Sequence, residues 1–364
     1  MGKSVVYYIS DHGLGHATRS LAIIKALCKE ENDLRISIRT SRNANLMKNA
    51  LSNEDIPIYE EKNDFGLIQG DSLSISSRAT KRAFEEWMHS WQKWLRQEYQ
   101  RLKNRVDLLI SDICPQPFLL AEKLGIPSIA ISNFTWLDQY KQILESDRLL
   151  ELEQAYNAAS SALILPFNME MAGIRTNRKK EIALVFRPPT RDLSALQSQY
   201  RPLKDKRLMF IRAEGGSLAY SLSLNRWKVP NSVIFVTGSR NVEGMSKQIF
   251  WIPTAESNHQ DFVMASELIV TKAGYSILSE AVAARIPLIL IETAGFPEAA
   301  TMSEQAVSLG IAQLHSMDSL LRATWLDKQD ELDSLRNAYN HLPRRYTENG
   351  IVEAIEHILE YLRD

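Results

Sequence analysis

Along this chain, short β-rich runs alternate with stretches in which apolar residues recur at helical spacing. Ser4-Val5-Val6-Tyr7-Tyr8-Ile9 is a continuous apolar run of the kind a buried parallel strand requires. A glycine-bearing loop, Asp11-His12-Gly13-Leu14-Gly15, follows it. Leu21, Ile24 and Leu27 then share one face of a predicted helix over about 17–30. Residues 34–39, 108–111, 128–132 and 162–165 read as further strands, and 117–124 as a helix stopped by Gly125. The second half repeats the rhythm. Strands are predicted at 208–211, 232–237, 267–270 and 288–291. A helix is predicted over about 276–284, and an amphipathic one over 350–362.

Strand and helix in alternation predict parallel sheets covered on both faces. Two such sets predict an α/β protein of two Rossmann-like domains, divided near residue 190. Arg187-Pro188-Pro189-Thr190 suits a linker there. The expected domains are 1–190, joined by a terminal helix at 346–364, and 191–345. The length of 364 residues agrees with two domains at roughly 150 residues each.

Composition narrows the function classes. Lys and Arg number 43 against 44 Asp and Glu, so the basic footprint of a nucleic-acid protein is missing. No apolar run reaches the roughly 18 residues a membrane span needs, and the first run is too short for a signal-peptide core. Two cysteines, Cys28 and Cys114, exclude a disulfide framework and a four-thiolate zinc cluster. A reduced cytoplasmic protein is expected.

Three places have the makings of an anion site, a glycine-rich approach to a helix N-terminus. They are Gly13-Leu14-Gly15-His16, Gly215-Gly216-Ser217 and Gly274-Tyr275-Ser276. Each alone is equally a tight strand-to-helix turn. Two in the second half, both at strand ends, favour a crevice that holds a diphosphate. The first has Thr18 where a dinucleotide fingerprint needs its third glycine, so a nicotinamide dinucleotide fits poorly. Walker and Asp-x-Asp motifs are absent. Helix dipoles, amides and Lys272 are left to neutralise a diphosphate, with no metal or other cofactor expected.

The segment Asp11-His12-Gly13-Leu14-Gly15-His16-Ala17-Thr18-Arg19 resembles the opening loop of the two-Rossmann (GT-B) glycosyltransferase superfamily. The likeness extends to the glycosyltransferase-like N-terminal part of plant L-arabinokinases, through Ser111-Asp112-Ile113 and Ser132-Asn133-Phe134-Thr135-Trp136. The run from Lys272 to Ala281, then Pro287 and Phe296-Pro297-Glu298, is similar to the superfamily's donor-binding signature, shared with the N-acetylglucosamine transferase of peptidoglycan synthesis.

The resemblance implies two domains facing across a cleft, with a C-terminal helix returning to the first. It implies a nucleotide-sugar donor, a UDP-sugar by preference, on the second domain. Glu280 would accept both ribose hydroxyls; Lys272, Gly274, Tyr275 and Ser276 would serve the diphosphate, with Gly216 and Ser217 closing over it. Glu298 would contact sugar hydroxyls. Gly13, Gly15 and Asn133 would lie on the acceptor side. His16 is the candidate base and Asp112 its orienter, imidazole titrating in the range such chemistry needs. Bland alternatives stand beside these: His16 as a structural histidine, Asp112 as a helix cap, Glu280 as a carboxylate favoured near a helix N-terminus. The expected activity is transfer of a hexose or N-acetylhexosamine to an unidentified acceptor. A nucleotide-sugar epimerase and a non-catalytic sensor are the rivals.

Other features weigh less. His12 and His16 have zinc-pair spacing, but Gly13 and Gly15 between them start a helix too late to present both. Residues 81–105 carry Phe84, Trp87, Trp91, Trp94 and Leu95 near one helix face. That face either packs on the first domain, lines the acceptor cleft or makes a peripheral contact with the inner membrane face. Arg175, Arg178, Lys179 and Lys180 read as a solvated basic loop. Two departures from the family pattern stand out: Glu214 would repel a nearby diphosphate unless turned away, and Ala299 replaces a glutamine often found after the Glu298 position.

Overall fold

The computed structural model describes residues 2–69, 75–200, 206–212, 231–237, 249–252, 256, 258–293, 295–322 and 329–363. They form two compact units. One comprises Met1–Phe186, Ala294–Glu298 and Glu348–Asp364; the other comprises Arg187–Thr293 and Ala299–Thr347. Each is built on one all-parallel sheet, the α/β class that the alternating pattern predicts.

Among the described residues the sheet of the first unit has seven strands: β1 Ser4–Ile9, β2 Arg35–Arg39, β3 Ile58–Tyr59, β4 Leu108–Asp112, β5 Ser128–Ser132, β6 Ser161–Ile164 and β7 Lys179–Glu181. Their order is β3-β2-β1-β4-β5-β6-β7. The central strands β4 and β5 are buried along their whole length, because helices cover both faces. The Lys179-Lys180 pair lies in edge strand β7 and not in a loop. Charge on an edge strand discourages pairing with other chains.

Helix Ser77–Leu102 settles the reading of its aromatic stripe. Phe84, Trp87, Trp91 and Trp94 are all buried. Phe84, Trp87 and Trp91 pack with Phe118, Phe134, Trp136 and Tyr140 in one core cluster. The stripe is internal, so these rings offer no surface to a membrane. Glu98 is buried on the same helix, where it accepts from Tyr8 Oη at 2.9 Å and pairs with Arg39 and Arg101. The last helix, Ile351–Arg363, packs against helix Leu14–Glu30 and buries Ala354, Ile358 and Leu362.

The second unit holds β8 Arg207–Arg212, β9 Ser232–Thr237, β10 Ile249–Trp251, β11 Leu268–Lys272, β12 Leu288–Ile291 and β13 Ala312–His315, in the order β10-β9-β8-β11-β12-β13. Among the described residues, no helix is long and apolar enough to cross a membrane.

The Arg187-Pro188-Pro189-Thr190 stretch is anchored to the second unit on both sides of the prolines. Arg187 pairs with Glu280, Thr190 donates twice to Asp261, and Arg191 pairs with Asp261 and Glu256. Its prolines stiffen a docked segment.

Candidate functional site

In the first unit β1 leads to β2 on one side, while β4 lies on the other. A crevice therefore opens at the carboxyl ends of β1 and β4. Ile9 is in register with Asp112, so the loops leaving both strands are neighbours. Helix Leu14–Glu30 starts from Gly13, whose φ of 79° is a conformation glycine adopts without strain. That start carries His16 and, one turn on, Arg19 over the end of β4.

Asp112 is the hub. His16 Nδ1 lies 2.7 Å from its Oδ1. Arg19 donates to Oδ2 through Nε at 2.7 Å and to Oδ1 through Nη2 at 2.6 Å. Ser20 Oγ donates to Oδ2 at 3.1 Å. Burial works against ionisation, but Arg19 and His16 outweigh it and hold the carboxyl at about 2. The following helix, Gln116–Leu124, takes no side-chain cap, so Asp112 is not spent on capping. The His16 ring meets Phe134 edge to face at 5.5 Å, and no hydrogen bond reaches its Nε2 among the described residues.

The end of β5 extends the network. Arg19 donates through Nη2 to Ser132 Oγ at 3.0 Å and through Nη1 to Asn133 Oδ1 at 2.6 Å. Asn133 Nδ2 then donates to Glu298 Oε1 at 3.0 Å. Glu298 is thus part of the first unit, although the sequence reading places it with the second domain.

Sequence reasoning misses Arg19, which stands in the quoted motif without a role. The available signal is its place three residues after His16 on one helix face. Asn63 and Asp64 are missed as well. Asp64 accepts from Asp11 N and from Trp136 Nε1, while Asn63 Nδ2 donates to the carbonyls of Ile9 and Arg39. Together they strap residues 63–66 across the ends of β1 and β2. Burial pushes the Asp64 carboxyl above the usual range. His12 stacks edge-on against Trp136 at 5.2 Å, and burial, then His16 and Arg42, lower its pKa to about 4. Burial also raises both cysteine thiols, as befits inert side chains.

In the second unit the order in which the chain adds strands reverses between β8 and β11, which pair in parallel. Gly216, Ser217 and Glu214, which follow β8, lie outside the described residues. After β11 come half-buried Lys272 and the Gly274 turn into helix Tyr275–Ala283. Among the described residues no side chain caps that helix at Gly274, and a Cβ on Gly274 would meet nothing within 4 Å. Tyr275 is buried and Ser276 half-buried.

Glu280 departs from expectation. It is only 3% exposed, and its Oε1 is held by Arg187 Nε at 3.2 Å and Nη2 at 3.1 Å. Its Oε2 accepts no hydrogen bond among the described residues. One oxygen, not both, is left for a ribose. Burial raises the carboxyl pKa against the pull of Arg187 and Arg212. Among the described residues, no group of three His, Cys, Asp or Glu is placed to hold a metal ion.

Comparison with known proteins gives these features a setting. L-arabinokinase of Arabidopsis thaliana is 20% identical over 314 residues, covering 80% of this chain and 28% of that protein, so the chain spans under a third of that relative. The calicheamicin glycosyltransferase CalG4 superposes with a TM-score of 0.70 at 15% identity, covering 100% of this chain and 99% of that one. Phytolacca americana UGT2, complexed with UDP-2fluoro-glucose and pterostilbene, superposes with a TM-score of 0.65 at 14% identity, over 99% and 100%. These structural likenesses show the GT-B fold. The family model described as glycosyl transferase family 1 matches residues 3–311, and over that length it shows that the chain belongs to glycosyl transferase family 1 and is a glycosyltransferase.

Proposed function

We propose that this chain transfers a hexose or N-acetylhexosamine from a nucleotide diphosphate-sugar, by preference a UDP-sugar, to an acceptor hydroxyl, with inversion and without a metal. The observation that carries the reading is the 2.7 Å contact between His16 Nδ1 and Asp112, with no hydrogen bond on Nε2 among the described residues. His16 Nε2 takes the acceptor proton as the oxygen attacks the anomeric carbon. The bond from that carbon to the diphosphate breaks, and its electron pair leaves with the diphosphate. A single displacement inverts the centre. The imidazolium that forms keeps its Nδ1–H on the Asp112 carboxylate.

The donor is bound by the second unit. The helix N-terminus at Gly274, with Tyr275, Ser276 and Lys272, receives the diphosphate, and Glu280 Oε2 accepts from a ribose hydroxyl. Glu298 accepts from sugar hydroxyls, while Gly13, Gly15 and Asn133 lie toward the acceptor. The UDP-2fluoro-glucose and pterostilbene of the Phytolacca americana complex support a donor and an acceptor of this kind.

The test measures UDP release from a panel of UDP-sugars, with and without acceptor alcohols, in EDTA. Acceptor-dependent release that His16→Ala abolishes is expected. Transfer untouched by His16→Ala overturns the base assignment. Epimer formation without acceptor marks an epimerase, and binding without turnover marks a sensor.

A further inference from the structure

The hydrogens of Arg19 can be assigned one by one. Nε–H goes to Asp112 Oδ2. Nη2 has two hydrogens, and two oxygens lie within reach of them: Asp112 Oδ1 at 2.6 Å and Ser132 Oγ at 3.0 Å, the latter also accepting from Phe134 N at 3.4 Å. His16 Nδ1 also lies 2.8 Å from Nη2, but no Nη2 hydrogen remains for it. An unprotonated Nδ1 would face a full donor set with nothing to accept. It would also turn a lone pair on Asp112 Oδ1 at 2.7 Å. The network therefore closes only when Nδ1 carries the proton and gives it to Asp112. Neutral His16 then holds its lone pair on Nε2. Asp112 in turn accepts two hydrogen bonds on each oxygen, from His16 and Arg19 on one and Arg19 and Ser20 on the other. That fills the roughly four lone-pair sites of a carboxylate.

The same guanidinium orients Asn133. A cation accepts nothing, so Nη1 at 2.6 Å requires the amide oxygen on its side. The amide NH₂ must then face Glu298, where it donates at 3.0 Å.

We propose that Arg19 is a positioning residue with two outputs: it fixes the tautomer that leaves His16 Nε2 basic, and through Asn133 it aims the carboxylate of Glu298. The inference rests on the base and sugar-contact roles assigned above. A lysine cannot replace this guanidinium, because a point charge cannot serve Asp112, Ser132 and Asn133 from one plane.

The tautomer is read directly by ¹⁵N NMR of His16, assigned through bonds, in the wild-type protein and in Arg19→Lys and Arg19→Gln. The neutral wild-type ring is expected to show Nδ1–H, and both variants a mixture with Nε2–H. In transfer assays kcat falls about 100-fold in both variants. The donor KM rises about five-fold. Guanidinium chloride at millimolar levels restores part of kcat to Arg19→Gln. An Nε2–H ring in the wild type overturns the proposal without need of any variant. So does Arg19→Lys with unchanged tautomer and kcat. His16→Ala assayed in parallel separates the two failures. If it transfers normally the base reading fails; if it is inactive while Arg19→Lys is normal, only the positioning role fails.

Discussion

Arg187 holds Glu280 by a single oxygen, with Nε and Nη2 both converging on Oε1 at 3.2 and 3.1 Å. The carboxyl is buried, and burial raises its pKa against the pull of that guanidinium. Arg187→Ala is expected to push the Glu280 pKa further up. UDP affinity in that variant then starts to fall at a higher pH than in the wild type. Calorimetric titration at pH 5 and pH 8 checks this, and a pH-independent affinity in the variant refutes it.

Glu280→Gln keeps an acceptor for the ribose but loses the charge that Arg187 needs. UDP binding is expected to weaken about ten-fold, a loss of roughly 1.4 kcal/mol, and Glu280→Ala to abolish it. Competition against a fluorescent UDP probe reads both.

Asp112→Asn leaves the buried Arg19 cation without its counter-charge. A loss of about 3–5 kcal/mol in urea unfolding is expected, along with a transfer rate down by about a thousandfold or more. The wild-type carboxyl, held at about 2 against an ordinary 3.8, binds fewer protons folded than unfolded below pH 4. Its contribution is complete above that value and drains away as pH falls through 2.

His12 contributes in a higher window. Its pKa is about 4 folded against 6.5 unfolded, so between those values the unfolded chain binds the extra proton. The stability it lends is full above pH 6.5 and shrinks down to pH 4. Melting temperatures of wild type and His12→Asn at pH 7 and pH 4.5 should therefore converge on acidification; a constant difference counts against this.

Gly66 stands at φ 72°, and a Cβ there would lie 2.0 Å from His12 Nδ1. Gly66→Ala should cost about 3 kcal/mol, partly backbone strain and partly the collision. In a His12→Ala background the collision goes and only the strain, about 1–2 kcal/mol, remains. Urea unfolding of the four proteins in that cycle measures the difference.

Strands such as Ser4–Ile9 and Ser128–Ser132 are legible in the sequence because continuous apolar runs mark burial on both faces. Ala312–His315 is not, since Gln313 and His315 interrupt such a run, and Ile249–Trp251, though apolar throughout, is an edge strand only three residues long. The helix of His16 begins at Leu14, three residues before its apolar spacing does, because Leu14 is exposed. His16 and Asp112 are readable as a pair because their residue types carry chemistry. Asn63 and Asp64 are not: the partners that give them a role, Asp11, Trp136 and the Ile9 carbonyl, are distant in the chain. Glu280 is recognisable as a carboxylate near a helix start, but its capture by Arg187 belongs to tertiary structure alone.

The first unit is assembled from three separate stretches of polypeptide. Expressing residues 1–186 by themselves would strip Asn133 of the acceptor at Glu298 and bare the apolar side of helix Leu14–Glu30 that Ile351–Arg363 covers. Anyone dissecting this enzyme into halves at the diproline should expect an aggregating amino-terminal fragment, and would do better to splice the closing helix back on by circular permutation.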